Sequence, residues 1–259
     1  MKRVIPAIIL AMTTLAACDM FIDCIDGNGD VETELRDAVP FTAIANETSF
    51  HVNYIQDDEY SITVEAESNI LPYIETDITS GSLEISTIKG IHCLNYTRHP
   101  VVTVTAPNIS EIVSAGSGDF FSGPLSGTDV RVVNSGSGDI TVGTITGTEV
   151  SIVISGSGNV ITDEIASTSM KATLSGSGDL TVSGGETATS RYVVSGSGTA
   201  FTRYFASDDA TVTMSGSGSV YATVNDNLNA VISGSGNIYL LGDPDVSLTR
   251  TGSGRVIYL

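Results

Sequence analysis

The chain has 259 residues, with 11 basic against 30 acidic side chains, a formal net charge of −19, and a hydrophobic fraction of 41%. The length is ample for a packed core, and the hydrophobic fraction is too high for an intrinsically disordered chain. The acidity argues against nucleic-acid binding, which needs a basic face, and it disfavours electrostatic binding to an anionic membrane surface.

The first residues of the chain have the pattern of an export signal. Lys2 and Arg3 precede an apolar run from Val4 to Ala17, which is shorter than the roughly 20 residues of a transmembrane helix. The sequence Leu-Ala-Ala-Cys that ends at Cys18 resembles the bacterial lipobox. Residues 1–17 are therefore predicted to be a lipoprotein signal peptide, and Cys18 to be the lipidated first residue of the mature chain. The alternative is an ordinary signal peptide followed by a chance cysteine.

Lipidation would hold the protein to a membrane of the cell envelope through acyl chains. An outer membrane is favoured. Asp19 leaves the inner membrane open, because an Asp after the lipidated Cys implies inner-membrane retention in enterobacterial lipoproteins.

Two further cysteines, Cys24 and Cys93, follow the lipidation candidate. An exported, oxidising compartment favours a disulfide between them, which would stabilise the fold by about 4 kcal/mol through loop entropy. The rival interpretation is a metal site formed by His92, Cys93 and His99, for which no fourth ligand is evident.

An internal repeat dominates the rest of the chain. The tripeptide Gly-Ser-Gly recurs at steps of 20 residues and finally of 18, beginning at Gly116, Gly136, Gly156, Gly176, Gly196, Gly216, Gly234 and Gly252. The position two residues beyond each second Gly is always apolar, as in Phe120, Ile140, Val160, Leu180, Ala200, Val220, Ile238 and Val256. The position four residues before each first Gly is apolar or aromatic, as in Ile112, Val132, Ile152, Ala172, Tyr192, Val212, Ala230 and Leu248. Apolar and polar residues alternate around these columns, which predicts at least two short strands per repeat.

These columns predict an all-β fold, a right-handed parallel β-solenoid (β-helix) with about 20 residues per coil. The glycines fit corners that need either a positive φ or a close approach of neighbouring coils. Residues 111–259 form the regular Gly-Ser-Gly solenoid, and 41–110 form irregular N-terminal β coils or a cap on it, so that 41–259 is one domain. Residues 18–40 are predicted to be an acidic tether.

A family resemblance supports this fold. Tyr60–Val64, Asn69–Thr76 and Gly81–Ile85, followed by the repeated Ser-Gly-Ser-Gly-Asp, resemble the GIN-domain family, also called the auto-transporter adhesin head domain or DUF2807. The resemblance covers about residues 40 to 259. It implies an exported β-solenoid, often on a bacterial lipoprotein, with a suggested role in adhesion and no active site to carry over.

Acidic and neutral polar residues follow the Gly-Ser-Gly corners in a column that starts with Asp119 and Asp139. A calcium ladder is one interpretation, and hydrogen bonding to backbone N–H groups in a turn is the other. Stacked carboxylates would repel by about 1 kcal/mol even in water, and Asn159 interrupts the column. We therefore expect turn chemistry, with Asp119 and Asp139 as weak metal candidates only, and no cofactor.

No catalytic constellation is evident. His51, His92 and His99 all precede the regular coils, and none has a Ser/His/Asp context. A β-helix enzyme that cleaves acidic polysaccharides would need more Lys and Arg than this chain offers. We therefore expect no enzymatic activity.

The outward column next to the apolar one contains Phe201, Tyr221 and Tyr239 in successive coils. An exposed aromatic stripe of this kind suits a glycan or a cell-surface protein, unless another segment covers it. The sequence therefore predicts a non-enzymatic binding or adhesion module. The alternatives are an assembly protein that forms homo-oligomers through its coil ends and, less favoured, a polysaccharide-acting enzyme.

Overall fold

The computed structural model describes residues 24–91 and 93–259, so the predicted signal peptide and Cys18 lie outside the described residues. The fold is all-β, with about 62% of the described residues in strands and one 3-10 turn among them, at Leu71–Tyr73. It is a β-solenoid of about seven turns with roughly 20 residues per turn, which confirms the predicted class. Its right-handed sense stays a prediction from the general rule for parallel crossovers.

The regular coils stack in parallel with a constant register. Ile140 pairs with Val160 and Ile152 with Ala172, an offset of one 20-residue repeat, whereas Val220 pairs with Ile238 at the 18-residue repeat. Register shifts between Thr202 and Asp209 absorb the two-residue difference. The strands are β10 (Glu111–Ser114), β11 (Phe120–Ser122), β12 (Leu125–Asn134), β13 (Ile140–Ile154), β14 (Val160–Leu174), β15 (Leu180–Val182), β16 (Gly185–Val194), β17 (Ala200–Met214), β18 (Val220–Ile232), β19 (Ile238–Leu241), β20 (Asp245–Arg250) and β21 (Val256–Tyr258).

The two predicted apolar columns fill the interior of these coils. Every member from Ile112 to Ala230 and from Phe120 to Ile238 is buried, whereas Leu248 and Val256 of the last coil are partly exposed. Tyr192 is the one aromatic ring of its column, and its hydroxyl shares a 2.9 Å hydrogen bond with Thr202 Oγ1. Burial raises the pKa of Tyr192 to about 12. Because side chains alternate across a strand, the neighbouring columns point outward.

The N-terminal strands form a cap with a different order. The strands are β1 (Ile25–Asp26), β2 (Val31–Arg36), β3 (Ala43–Asn46), β4 (His51–Gln56), β5 (Ser61–Glu67), β6 (Ile74–Thr79), β7 (Ser82–Thr87), β8 (Leu94–Asn95) and β9 (Val101–Ala106). The coil of β3 and β4 lies between β7 and β9 on one side and β10 and β11 on the other. Antiparallel pairing adds β5 to β9, β2 to β5 and β6 to β7. The chain therefore adds strands β5 through β9 on one side of its first coil and then crosses to the other side, where the regular stack begins with β10 and β11.

Part of the predicted acidic tether belongs to this cap, which corrects the expectation for residues 18–40. Strand β1 pairs in parallel with β8, and β2 pairs with β5 along its whole length. A disulfide joins Cys24 to Cys93. The sulfur of Cys93 is therefore not a metal ligand, and His92 of the rival metal site lies outside the described residues.

A buried carboxylate also holds this segment. Glu67 is 1% exposed, and its Oε1 accepts hydrogen bonds from the Gly29 N–H (2.7 Å) and from Thr97 Oγ1 (2.8 Å). Its Oε2 accepts the Thr97 N–H at 3.1 Å. The hydrogen bond from Thr97 Oγ1 contributes most to lowering the pKa of Glu67 below its ordinary value, and it outweighs the opposing effect of desolvation. A glycine stands at Gly27 because a Cβ there would collide with this carboxylate.

Candidate functional site

The Gly-Ser-Gly corner is closed by backbone contacts. A Cβ on Gly196 would overlap the carbonyl oxygen of Gly176 in the preceding coil, and the same relation holds at the equivalent glycines. The N–H of Ser197 donates to that oxygen at 3.0 Å. None of these glycines has a positive φ. Close approach of the coils therefore explains the repeated glycines.

The carboxylates of Asp119 and Asp139 accept hydrogen bonds from backbone N–H groups of the next coil. Asp119 Oδ1 accepts the N–H of Asp139 at 3.0 Å, and Asp139 Oδ1 accepts the N–H of Asn159 at 2.8 Å. Asn159 and Asp179 repeat this contact with the coils that follow them. Turn chemistry thus extends from coil to coil. No cluster of three or more His, Cys, Asp or Glu able to hold a metal ion is present within residues 24–91 and 93–259.

Two histidines meet at the start of this column. His51 Nδ1 accepts the N–H of Asp119 at 3.1 Å, and the ring of His99 lies 4.9 Å from the ring of His51. Tyr96 packs on His99 and donates its hydroxyl hydrogen to Ser49 Oγ. No sequence pattern indicates this cluster, because the pairing of β4 with β9 joins residues far apart in the chain. The Nδ1 lone pair of His51 already accepts a backbone N–H, which is typical of a histidine with a structural role.

The predicted aromatic stripe is assembled as a stack. Strand pairing places Phe201 beside Tyr221 and Tyr221 beside Tyr239. The ring centroids of Phe201 and Tyr221 are 5.4 Å apart, and those of Tyr221 and Tyr239 are 4.3 Å apart, with interplanar angles of 20° and 8°. Phe201 is 41% exposed, and the two tyrosines are half-buried. Tyr221 is stacked between its two neighbours, whereas Phe201, at the end of the stack, is stacked on one face only.

A groove of 510 Å³ lies next to that free face. Thr181 of the preceding coil pairs with Phe201, and its smaller side chain leaves this space open, while Ser183 and Arg203 also line it. Tyr204, which is 73% exposed, forms another wall, and the guanidinium of Arg203 lies 5.9 Å from its ring centroid. Arg203 and Tyr204 were not among the predicted site residues, although the change in side-chain size between successive repeats is a signal for such a groove.

A second groove lies on the same outward column. It has a volume of 410 Å³ and is lined by Asn53, Ile55, Phe121 and Thr141 among others. Phe121 is 48% exposed and Phe201 is 41% exposed, but the lining of the second groove contains no Lys or Arg. The two grooves thus share an exposed phenylalanine and differ in charge.

The chain matches known proteins over most of its length. The family model described as "Putative auto-transporter adhesin, head GIN domain" (DUF2807) matches residues 40–244. A putative adhesin from Parabacteroides merdae superposes with a TM-score of 0.84 at 23% identity, covering 92% of this chain and 99% of that one. A putative adhesin from Parabacteroides distasonis has a TM-score of 0.81 at 23% identity, covering 92% of this chain and 100% of that one.

A third solved structure, described as a putative lipid binding protein from Parabacteroides distasonis, has a TM-score of 0.82 at 26% identity and covers 92% of this chain and 100% of that one. No curated protein matches the chain. Among the described residues, none of the helical structure has the length and hydropathy required to cross a membrane.

Proposed function

Because the chain belongs to the DUF2807 family of auto-transporter adhesin head domains, we propose that it is a non-enzymatic binding or adhesion module of the bacterial cell envelope. The observation that carries this proposal is the exposed stack of Phe201, Tyr221 and Tyr239 beside an open groove. Exposed aromatic surfaces on a rigid scaffold tend to bind other molecules. Adhesin descriptions of the structural neighbours support a binding role.

Export and lipid anchoring are part of the proposal. The Cys24–Cys93 disulfide supports export, because such bonds persist in oxidising compartments. Lipidated Cys18 would attach the body to a membrane, with the outer membrane favoured and the inner membrane open because of Asp19. Metabolic labelling with an alkyne fatty acid is expected to label the wild-type protein and not Cys18→Ser. Labelling of both proteins, or of neither, would contradict anchoring at Cys18.

The binding role is tested with the purified full chain against a glycan array and cell-surface extracts, in calcium and in chelator. We expect saturable binding without a released product, and the same binding in chelator because Asp119 and Asp139 serve the backbone. Turnover of a glycan would show an enzyme instead. Loss of binding in chelator would favour calcium binding by the column of Asp119 and Asp139. Absence of binding to every glycan and extract would contradict the binding role.

Assembly of copies is a second candidate, favoured by the last coil. Leu248 and Tyr258 occupy inward columns, yet they are 43% and 60% exposed. Coil ends with exposed apolar groups can stack on another copy. Sedimentation of the full chain is expected to show concentration-dependent oligomers that Leu248→Lys abolishes. A monomer at all concentrations would exclude this candidate.

A further inference from the structure

We infer that the groove beside Phe201 binds a carboxylated pyranose, such as a hexuronate residue of an acidic glycan. This inference rests on the proposed binding function and specifies its ligand and its site. Three features of the groove point to this ligand: one aromatic face, one unpaired cation and a pair of hydroxyl groups.

The aromatic face belongs to Phe201 and not to the centre of the stripe. Tyr221 lies between two stacked rings, and it also contributes to the lining of the groove. Phe201 stacks on Tyr221 with one face and directs the other toward Thr181, whose short side chain leaves the groove open. The C–H groups on one face of a pyranose ring carry a partial positive charge, which favours contact with an aromatic face.

The cation is Arg203. Ion pairs in the described part of the chain engage Arg36, Arg98 and Arg131, whereas no carboxylate of the described residues lies within ion-pair distance of Arg203. Its guanidinium lies near the exposed Tyr204 ring, which holds it at the groove. A guanidinium can bind a carboxylate through two parallel hydrogen bonds. In a protein of net charge −19, this local positive charge selects a ligand that brings its own negative charge.

The remaining lining is mainly apolar in area, and Thr181 and Ser183 add hydroxyl-bearing side chains to it. A hydroxyl group in the lining of a groove can donate to and accept from the hydroxyls of a ligand. The groove volume of 510 Å³ lies within the range of small-molecule sites, about 300 to 1,000 Å³. The Phe121 groove offers a similar ring without a cation and serves as an internal control.

The test is calorimetric titration of the full chain with an oligogalacturonate and with the neutral galactose oligomer of the same length. We expect the wild type to bind the acidic sugar at least about tenfold more tightly. Arg203→Gln should remove that preference and keep the weak binding of the neutral sugar. Phe201→Ala should weaken both by about tenfold, Phe201→Tyr should restore them, and Phe121→Ala should change neither.

Each other outcome has a distinct meaning. Equal affinity of the wild type for both sugars overturns the role of Arg203. If the protein binds a glycan on the array and neither Phe201→Ala nor Arg203→Gln changes that binding, the groove is not the binding site. The proposed function would then still hold. Displacement of the sugar by a fatty acid at equal or lower concentration overturns the ligand class. Absence of binding to every glycan and surface extract contradicts both. Thermal midpoints equal to that of the wild type establish that the variants fold.

Discussion

The N-terminal cap and the Gly-Ser-Gly solenoid both hold neighbouring strands together, but the cap uses side-chain contacts and the solenoid uses backbone contacts at its corners. In the solenoid, successive coils contact each other through backbone at the corners, because the glycines leave no side chain in the way. In the cap, side chains hold strands of irregular order: the Cys24–Cys93 disulfide, the carboxylate of Glu67 and the edge-to-face pair of Phe41 and Tyr60. Glycine itself changes role, because Gly27 makes room for a side chain whereas Gly196 makes room for a carbonyl oxygen.

This difference explains why the two regions tolerate change differently. A backbone contact that repeats in every coil cannot adjust to a new Cβ without moving a whole coil. A contact through side chains can be lost locally while the neighbouring strands persist. We therefore expect substitutions in the solenoid corners to act on the whole stack, and substitutions in the cap to open the cap alone.

The largest effect is expected at a corner. Gly196→Ala should destabilise the fold by more than about 4 kcal/mol, because the new Cβ overlaps the carbonyl oxygen of Gly176. Gly143→Ala is the matched control, since a Cβ there has no neighbour closer than 3.6 Å. Denaturant unfolding measures both variants. Equal stability of Gly196→Ala and the wild type would show that the coils can separate at this corner.

Loss of the disulfide should be next in size and confined to the cap. The double variant Cys24→Ser, Cys93→Ser is expected to lose about 4 kcal/mol of local stability, because the reduced chain regains loop entropy. Hydrogen exchange should accelerate in β1, β2 and β8 and stay slow in β13 and β14. Equal acceleration in the regular coils would show that cap and solenoid unfold as one unit.

A smaller, pH-dependent effect is expected at Glu67. Its pKa is lowered in the folded cap, so the carboxylate stabilises the cap above its unfolded pKa, and this contribution is lost as the pH falls through the folded value. The loss therefore begins near the unfolded value of about 4.3 and continues below it. Hydrogen exchange of the cap between pH 2 and 6 should show this dependence in the wild type and not in Glu67→Gln. The exposed Glu32, changed to Gln, is the control, and an unchanged profile in Glu67→Gln would contradict the role of Glu67.

The smallest effect is expected in the acidic column of the solenoid. Asp139→Ala should cost about 1 kcal/mol, because the N–H of Asn159 loses its acceptor at 2.8 Å. Asp139→Asn should restore most of this, since an amide oxygen accepts the same hydrogen bond, as Asn159 does for Asp179. Thermal unfolding with calcium and with chelator checks the comparison. A calcium-dependent midpoint that Asp139→Asn abolishes would favour a metal ladder instead.

Much of the solenoid could be predicted from the sequence because its contacts are periodic. Residues one repeat apart become neighbours in the stack, so Ile140 and Val160 occupy the same inward column in the sequence and in the structure. The same logic located the stripe of Phe201, Tyr221 and Tyr239. Composition and a compartment argument sufficed to propose the Cys24–Cys93 pair, which the structure contains.

Only the tertiary structure decided the features that depend on contacts without a period. Three contacts join segments whose spacing along the chain follows no repeat. They are the contact of the first coil with strands on both sides, the pairing of β2 with β5, and the contact of His51 with His99. The stacking of Tyr221 and the groove between Thr181 and Phe201 depend on ring orientation and side-chain size in adjacent coils. The stacking of the repeats could thus be predicted from the periodic sequence. The cap and the open aromatic face could not, because they depend on how particular side chains pack in three dimensions.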